Sequence, residues 1–137
     1  MEIDLALLAD AATIDSSGKL NVLGVFDRIS ASAFPAQHGR MAMVLRFAAP
    51  FPEAGSHELG IRLSGPDGGE VLRLDGEMKL APGPRSAGGG VKVPHVLNLD
   101  GIVFTRPGQY NFDVTVDGQH HVSIPLTVVD MRGGARA

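Results

Sequence analysis

Gly108-Gln109-Tyr110-Asn111-Phe112-Asp113-Val114-Thr115-Val116-Asp117-Gly118-Gln119-His120-His121-Val122 decides the fold of this chain. Successive side chains of an extended segment point to opposite faces, so Tyr110, Phe112, Val114 and Val116 share one side. Asp117-Gly118 then reverses the chain in two residues, and a second extended segment runs from Gln119 to Val129. Asp-Gly between two such runs demands a primed turn, whose twist matches that of the strands it joins. Pro125 lacks the amide that a ladder needs, which places it at an edge or a bulge. The same alternation recurs upstream, with His57, Leu59, Ile61 and Leu63 set against Glu58, Gly60, Arg62 and Ser64. The turn Pro66-Asp67-Gly68-Gly69 leads from there into a strand at Val71 to Leu74. The pattern is antiparallel.

Working outward, Met41, Met43, Leu45 and Phe47 share a face opposite Ala42, Val44 and Arg46. This strand is buried on one side and nearly so on the other. Residues 1 to 12 fit either a helical stripe (Leu5, Leu8, Ala12) or a strand face (Ile3, Leu5, Leu7, Ala9), and strand is the favoured reading. Asp15-Ser16-Ser17-Gly18 supplies turn-capping side chains, and Lys19 to Phe26 reads as the return strand of an N-terminal hairpin. Phe34-Pro35-Ala36-Gln37-His38-Gly39 is a loop, and Ala49-Pro50-Phe51-Pro52 is a connector. Ala81 to Gly90, with Pro82, Pro84 and three consecutive Gly, is a long surface loop; Val93 to Leu99 is a strand, and Arg106-Pro107-Gly108 a turn. Residues 1–130 form one domain, and Met131 to Ala137 has no periodicity and should fray. The expected core is Leu5, Leu7, Leu20, Val22, Met43, Leu45, Leu59, Ile61, Leu97, Leu99, Phe112, Val114 and Leu126.

Leu97-x-Leu99-x-x-Ile102-x-x-x-Arg106-x-Gly108-x-Tyr110 resembles the passage between strands E and F of immunoglobulin-like domains. That resemblance implies an antiparallel sandwich of about eight strands. It also implies that the Tyr110 hydroxyl ties back to upstream backbone beside Gly108, a tyrosine corner. Phe112 stands where that family has its second core cysteine, and Arg106 where an acidic residue is usual, so the disulfide and the local ion pair are both missing. The opening, from Leu8-Ala9-Asp10-Ala11-Ala12 through Gly18-Lys19-Leu20-Asn21-Val22-Leu23-Gly24-Val25-Phe26-Asp27, is similar to the start of a small family of uncharacterised bacterial proteins. That likeness implies a bacterial cytoplasmic origin and no substrate.

The 137 residues include 18 Gly and 9 Pro, more punctuation than a helical chain carries. Twelve basic against fifteen acidic side chains give a net charge of -3, no electrostatic reason to approach a phosphate backbone. One Tyr and no Trp leave little surface for stacking bases or sugars. Nucleic acid is therefore not an expected partner. The absence of cysteine excludes thiolate catalysis and Cys-based zinc sites. Met1-Glu2-Ile3-Asp4 lacks the positive start of a secretory signal, and no apolar run approaches the length of a membrane span, so the expectation is a cytoplasmic protein that does not enter membranes.

Chemistry has few anchors. Gly83-x-x-x-x-Gly88 has the glycine spacing of a phosphate loop, but Gly89 stands where the lysine belongs. No nucleophile elbow, zinc-protease motif or dinucleotide fingerprint occurs, so the chain reads as no enzyme, with no catalytic residue, cofactor or metal. His120 and His121, as strand neighbours, point apart unless a bulge intervenes. Asp67 and Asp117 read as turn formers. The alternative to a pure scaffold is a small-molecule or metal site built on Asp10, Asp27 and His95. The leading expectation is an interaction module that binds a protein partner or copies of itself, a homodimer included. Two routes are open: the loop rings Phe34 and Phe51, which otherwise plug the ends of the core, and an unguarded edge strand, with Pro94 and Pro125 reading as guards.

Overall fold

The computed structural model describes residues 1–49, 55–80 and 91–134. Apart from one helical turn, α1 (Met131–Gly134), its regular structure is all strand: β1 (Glu2–Ile14), β2 (Leu20–Phe26), β3 (Arg28–Ala31), β4 (Ala36–His38), β5 (Ala42–Ala49), β6 (Gly55–Ser64), β7 (Glu70–Leu80), β8 (Val91–Asn98), β9 (Ile102–Phe104), β10 (Gly108–Val116) and β11 (Gln119–Asp130). The strands form a four-stranded sheet in the order β2-β1-β5-β8, a five-stranded sheet in the order β3-β11-β10-β6-β7, and a β4-β9 ribbon. Eleven strands among the described residues exceed the eight expected. The additional ones are the short β3, β4 and β9, four, three and three residues long, too brief to show a period in sequence.

The two sheets share one core. Met41, Met43, Leu45 and Phe47 meet Leu59, Ile61, Leu63, Tyr110, Phe112, Val114, Leu126 and Val128 across it, and the ribbon adds Ile102 and Phe104. Phe104 stands edge-on to Tyr110 with ring centroids 5.0 Å apart. The β10–β11 turn has positive φ at both central residues, Asp117 at 51° and Gly118 at 80°, as a primed turn requires. Pro125 pairs with Asn111 of β10, while β3 covers β11 only from Thr127 to Asp130, so the proline occupies a stretch with one neighbour.

The N-terminal strands depart from expectation. The first fourteen residues do contain a strand that returns through Asp15-Ser16-Ser17-Gly18, where Asp15 Oδ1 accepts from the amides of Ser17 and Lys19. Leu5, Leu7, Leu20 and Val22, however, do not join the core; Leu8 does, with Ile3, Ala6 and Phe26 packed beside it. For Leu5 and Leu7 the cause is a register shift in the β1–β5 pairing between Ile3 and Leu5. A one-residue slip moves every later side chain to the other face. Leu20 and Val22 share the face of Phe26 but pair with Ile14 and Ala12 at the turn end of the hairpin. At the far end, Met131 to Gly134 make one helical turn, with the Asp130 carboxylate accepting from the amide and guanidinium of Arg132.

Candidate interaction surface

Beyond the short strands of the ribbon, each sheet ends in two edges, and the four differ sharply in how they are protected. β3 offers four residues. β8 carries Pro94 and Lys92. β7 sets Glu70, Arg73, Asp75, Glu77 and Lys79 along its length, with Glu70 bonded to both Arg62 and Arg73. β2, Leu20-Asn21-Val22-Leu23-Gly24-Val25-Phe26, has seven residues, no charge and no proline. Brevity, proline and charge are devices that stop an edge from pairing with another chain, and β2 has none of these three; its one irregularity is Gly24, which has no ladder partner in β1.

Side chains reinforce the asymmetry. In the register Ala9↔Val25 and Ala11↔Leu23, both β2 residues lie on the face directed away from the core, where Leu23 is 71% and Val25 62% exposed. Leu5 and Leu7 of β1 are half-buried on the same side, and Ala9, Ala42 and Val44 beside them are wholly buried, so the exposed apolar surface of this face is confined to β2. Charge collects at the far end of the sheet, where Asp4 pairs with Arg46 at 2.8 Å and with Lys92 at 3.4 Å. The Arg46 guanidinium and the Lys92 ammonium hold the Asp4 carboxyl below its ordinary range. Within β2, Gly24 has φ +72°, and the Asp10 carboxylate occupies the space that a Cβ there would need. The ladder to β1 keeps its register on either side of Gly24.

The residues singled out from sequence fall as follows. Phe34 is half-buried against the core, with the Arg132 guanidinium 5.9 Å from its ring centroid. Phe51 lies outside the described residues. Tyr110 is buried, and its hydroxyl donates to the Arg106 carbonyl at 2.7 Å. Gly108, at φ +138°, passes so close to Pro66 that an added Cβ would meet its Cγ at 2.7 Å. Asp10 and His95 do not converge: His95 is level with Ala6 through Leu45, leaving Asp10 two strands and four residues away, roughly 16 Å by ordinary sheet spacings. Asp27 follows β2 and engages through its carbonyl, which accepts from the Thr127 amide. His95 faces the Phe47 ring edge-on, and burial pushes its pKa below the ordinary 6.5. Among the described residues no three His, Asp or Glu side chains are placed to share a metal ion.

A bulge does fall beside His121, between the pairs Val114↔Val122 and Thr115↔His120, yet the two histidines take separate partners. His121 Nδ1 meets the Gln119 carbonyl, and His120 Nε2 meets Ser123 Oγ at 2.8 Å. Sequence reading did not foresee the Ser123–His120–Asp113 cluster this creates. Ser123 Oγ donates to Asp113 at 2.6 Å, and the same His120 nitrogen lies 3.3 Å from that carboxylate. A nucleophilic relay needs serine and carboxylate on opposite ring nitrogens, so this arrangement activates no nucleophile. His57 Nδ1 meets Asp117 at 2.6 Å; that contact and the Glu58 amide lower the Asp117 pKa. A shallow cavity of about 390 Å³ opens between Leu72 and Leu74 of β7 and the Asn98 to Val103 segment, with Asp100 the only charged group in its lining.

A family model matches residues 4–129. The chain belongs to DUF6941, a family of unknown function. No curated protein matches it. Among solved structures, this DUF6941 chain is similar to Pseudomonas fluorescens alkylpurine DNA glycosylase AlkC bound to DNA containing an abasic site analog. The identity is 12% and the TM-score 0.53, over 93% of this chain and 30% of that one. The DUF6941 chain thus spans about a third of the glycosylase, and at this identity the likeness concerns fold alone. Among the described residues no helix is long and apolar enough to cross a membrane.

Proposed function

We propose that the chain is a non-enzymatic, cytoplasmic interaction module whose β2 edge accepts a strand from a protein partner. The observation that carries this reading is the contrast among edges: β2 is neither short nor charged nor proline-guarded, and it displays Leu23 and Val25. Main-chain pairing would supply affinity, and the two exposed side chains a modest selectivity. The half-buried position of Phe34 favours the edge route over the loop route.

The framework is read as immunoglobulin-like. Support comes from the Tyr110–Arg106 bond, the β10–β11 hairpin and the parallel pairing of β3 with β11. The glycosylase of similar fold is bound to DNA, but that property is not carried over to this chain. A net charge of -3 offers no phosphate-binding footprint.

Hydrogen exchange on the chain, free and in complex, tests the proposal. Protection on complex formation should concentrate in residues 20–26. Protection confined to β3, β7 or β8 would overturn it.

A further inference from the structure

Resting on the reading of β2 as a docking edge, we infer that the partner strand is β2 of a second copy, paired antiparallel about a two-fold axis at Leu23. The argument is the charge at the two ends of the strand. Lys19 immediately precedes β2 and Asp27 immediately follows it, and both are exposed. Antiparallel pairing centred on Leu23 sets Lys19 of each copy beside Asp27 of the other, so the interface gains two opposite-charge pairs by symmetry alone. No other charge lies in the paired segment.

The remaining pairs are also compatible. Leu23 meets its own copy, and Val25 meets Asn21, all on the outer face, so the two most exposed apolar side chains of β2 lose water together. Gly24 falls opposite Val22, with the Asp10 carboxylate of β1 filling the space where its side chain would stand. The product is a continuous eight-stranded sheet, each copy contributing β2-β1-β5-β8, with both inner strands at the junction uncharged. A different protein could pair with the same edge, but within β2 itself it would find no charge to recognise.

The experiment uses the full chain in sedimentation equilibrium. The parent should dimerise reversibly. Leu23→Glu opposes two carboxylates on the axis and should weaken the dimer at least ~100-fold. Lys19→Glu and Asp27→Lys should each weaken it roughly 10-fold, and the double variant should restore it, since each pair is then re-formed with exchanged signs. Thermal unfolding of the double variant, equal to that of the parent, confirms an intact fold.

The chain has no cysteine, so Leu23→Cys introduces a single thiol. It should form a disulfide-linked dimer on mild oxidation, whereas Val71→Cys on β7 should not. A parent that stays monomeric at several hundred micromolar, or a dimer that the charge exchange fails to restore, overturns the inference. If a monomeric parent still protects residues 20–26 on binding a different protein, the docking edge survives and only the identity of its occupant is wrong. If neither occurs, both fall.

Discussion

Two hairpins of nearly equal length frame this molecule and use the same local geometry to opposite ends. In β10–β11 one face is apolar and buried, the other carries Asn111, Asp113, Thr115, His120 and Ser123, and the pair sits inside a five-stranded sheet. In β1–β2 both faces carry apolar side chains, one facing the core through Leu8 and Phe26 and the other facing solvent through Leu23 and Val25, and β2 ends its sheet. The first hairpin serves stability. The second carries two apolar side chains, Leu23 and Val25, that folding leaves exposed, the surface that the proposed association would cover.

The strongest way to break that comparison is to delete equivalent apolar mass from each hairpin. Phe112 is wholly buried at the centre of β10, so Phe112→Ala should cost about 3 to 5 kcal/mol by removing contacts and leaving a cavity. Leu23→Ala should change monomer stability by no more than about 0.5 kcal/mol. Chemical denaturation at low protein concentration separates the two, and a large loss at Leu23 would mean that β2 belongs to the core. Next in size is Gly108→Ala, which forces a side chain onto a φ of +138° and against Pro66; about 2 kcal/mol is expected, read from the denaturant midpoint. A midpoint unchanged from the parent would show that the 106–108 turn relaxes freely.

The same contrast explains what the sequence made legible. Alternation was readable in β6 and β10 because solvent wets one face, so Leu59, Ile61, Phe112 and Val114 could be assigned inward. It misled in β1, where both faces are apolar and nothing in the residue types marks the shift after Ile3 that brings Leu8 inward and turns Leu5 and Leu7 out. The parallel β3–β11 pair joins Arg28–Ala31 to Thr127–Asp130 across almost the whole chain, and a four-residue strand leaves no periodic trace. The uncharged composition of Lys19 to Phe26 was visible, bar its first residue, but edge status is a property of sheet order. Only the order β2-β1-β5-β8 shows which strands end the sheet among the described residues. Separation of Asp10 from His95 is likewise a matter of register, hidden in a one-dimensional list of ligand types.

A smaller effect tests the C-terminal region's polar staple. Tyr110→Phe removes the donor to the Arg106 carbonyl while keeping the ring against Phe104, so about 1 kcal/mol should be lost. Identical unfolding midpoints for variant and parent would mean that the bond contributes nothing net.

The smallest effect is a slope. His95 sits on the inner face of β8, paired with Leu45 and edge-on to Phe47, and burial disfavours its charged form. Its folded pKa lies below 6.5, so the unfolded chain binds more protons between the two values and stability falls as pH drops through 6.5. The loss ends once pH passes the folded pKa. His95→Phe removes the titration and should flatten this part of the stability profile, so that the variant gains on the parent between pH 7 and pH 5 whatever its stability at neutrality. Carboxylates such as Asp4 and Asp117, whose pKa values are depressed, lose their contribution only at more acid pH, as protons reach them below the ordinary carboxylate range. The two windows therefore separate in a pH series of denaturant melts. Parallel profiles for parent and His95→Phe above pH 5 would show that the imidazole takes up its proton alike in the folded and unfolded chain, and that the β8 side of the first sheet is wetter than its packing implies.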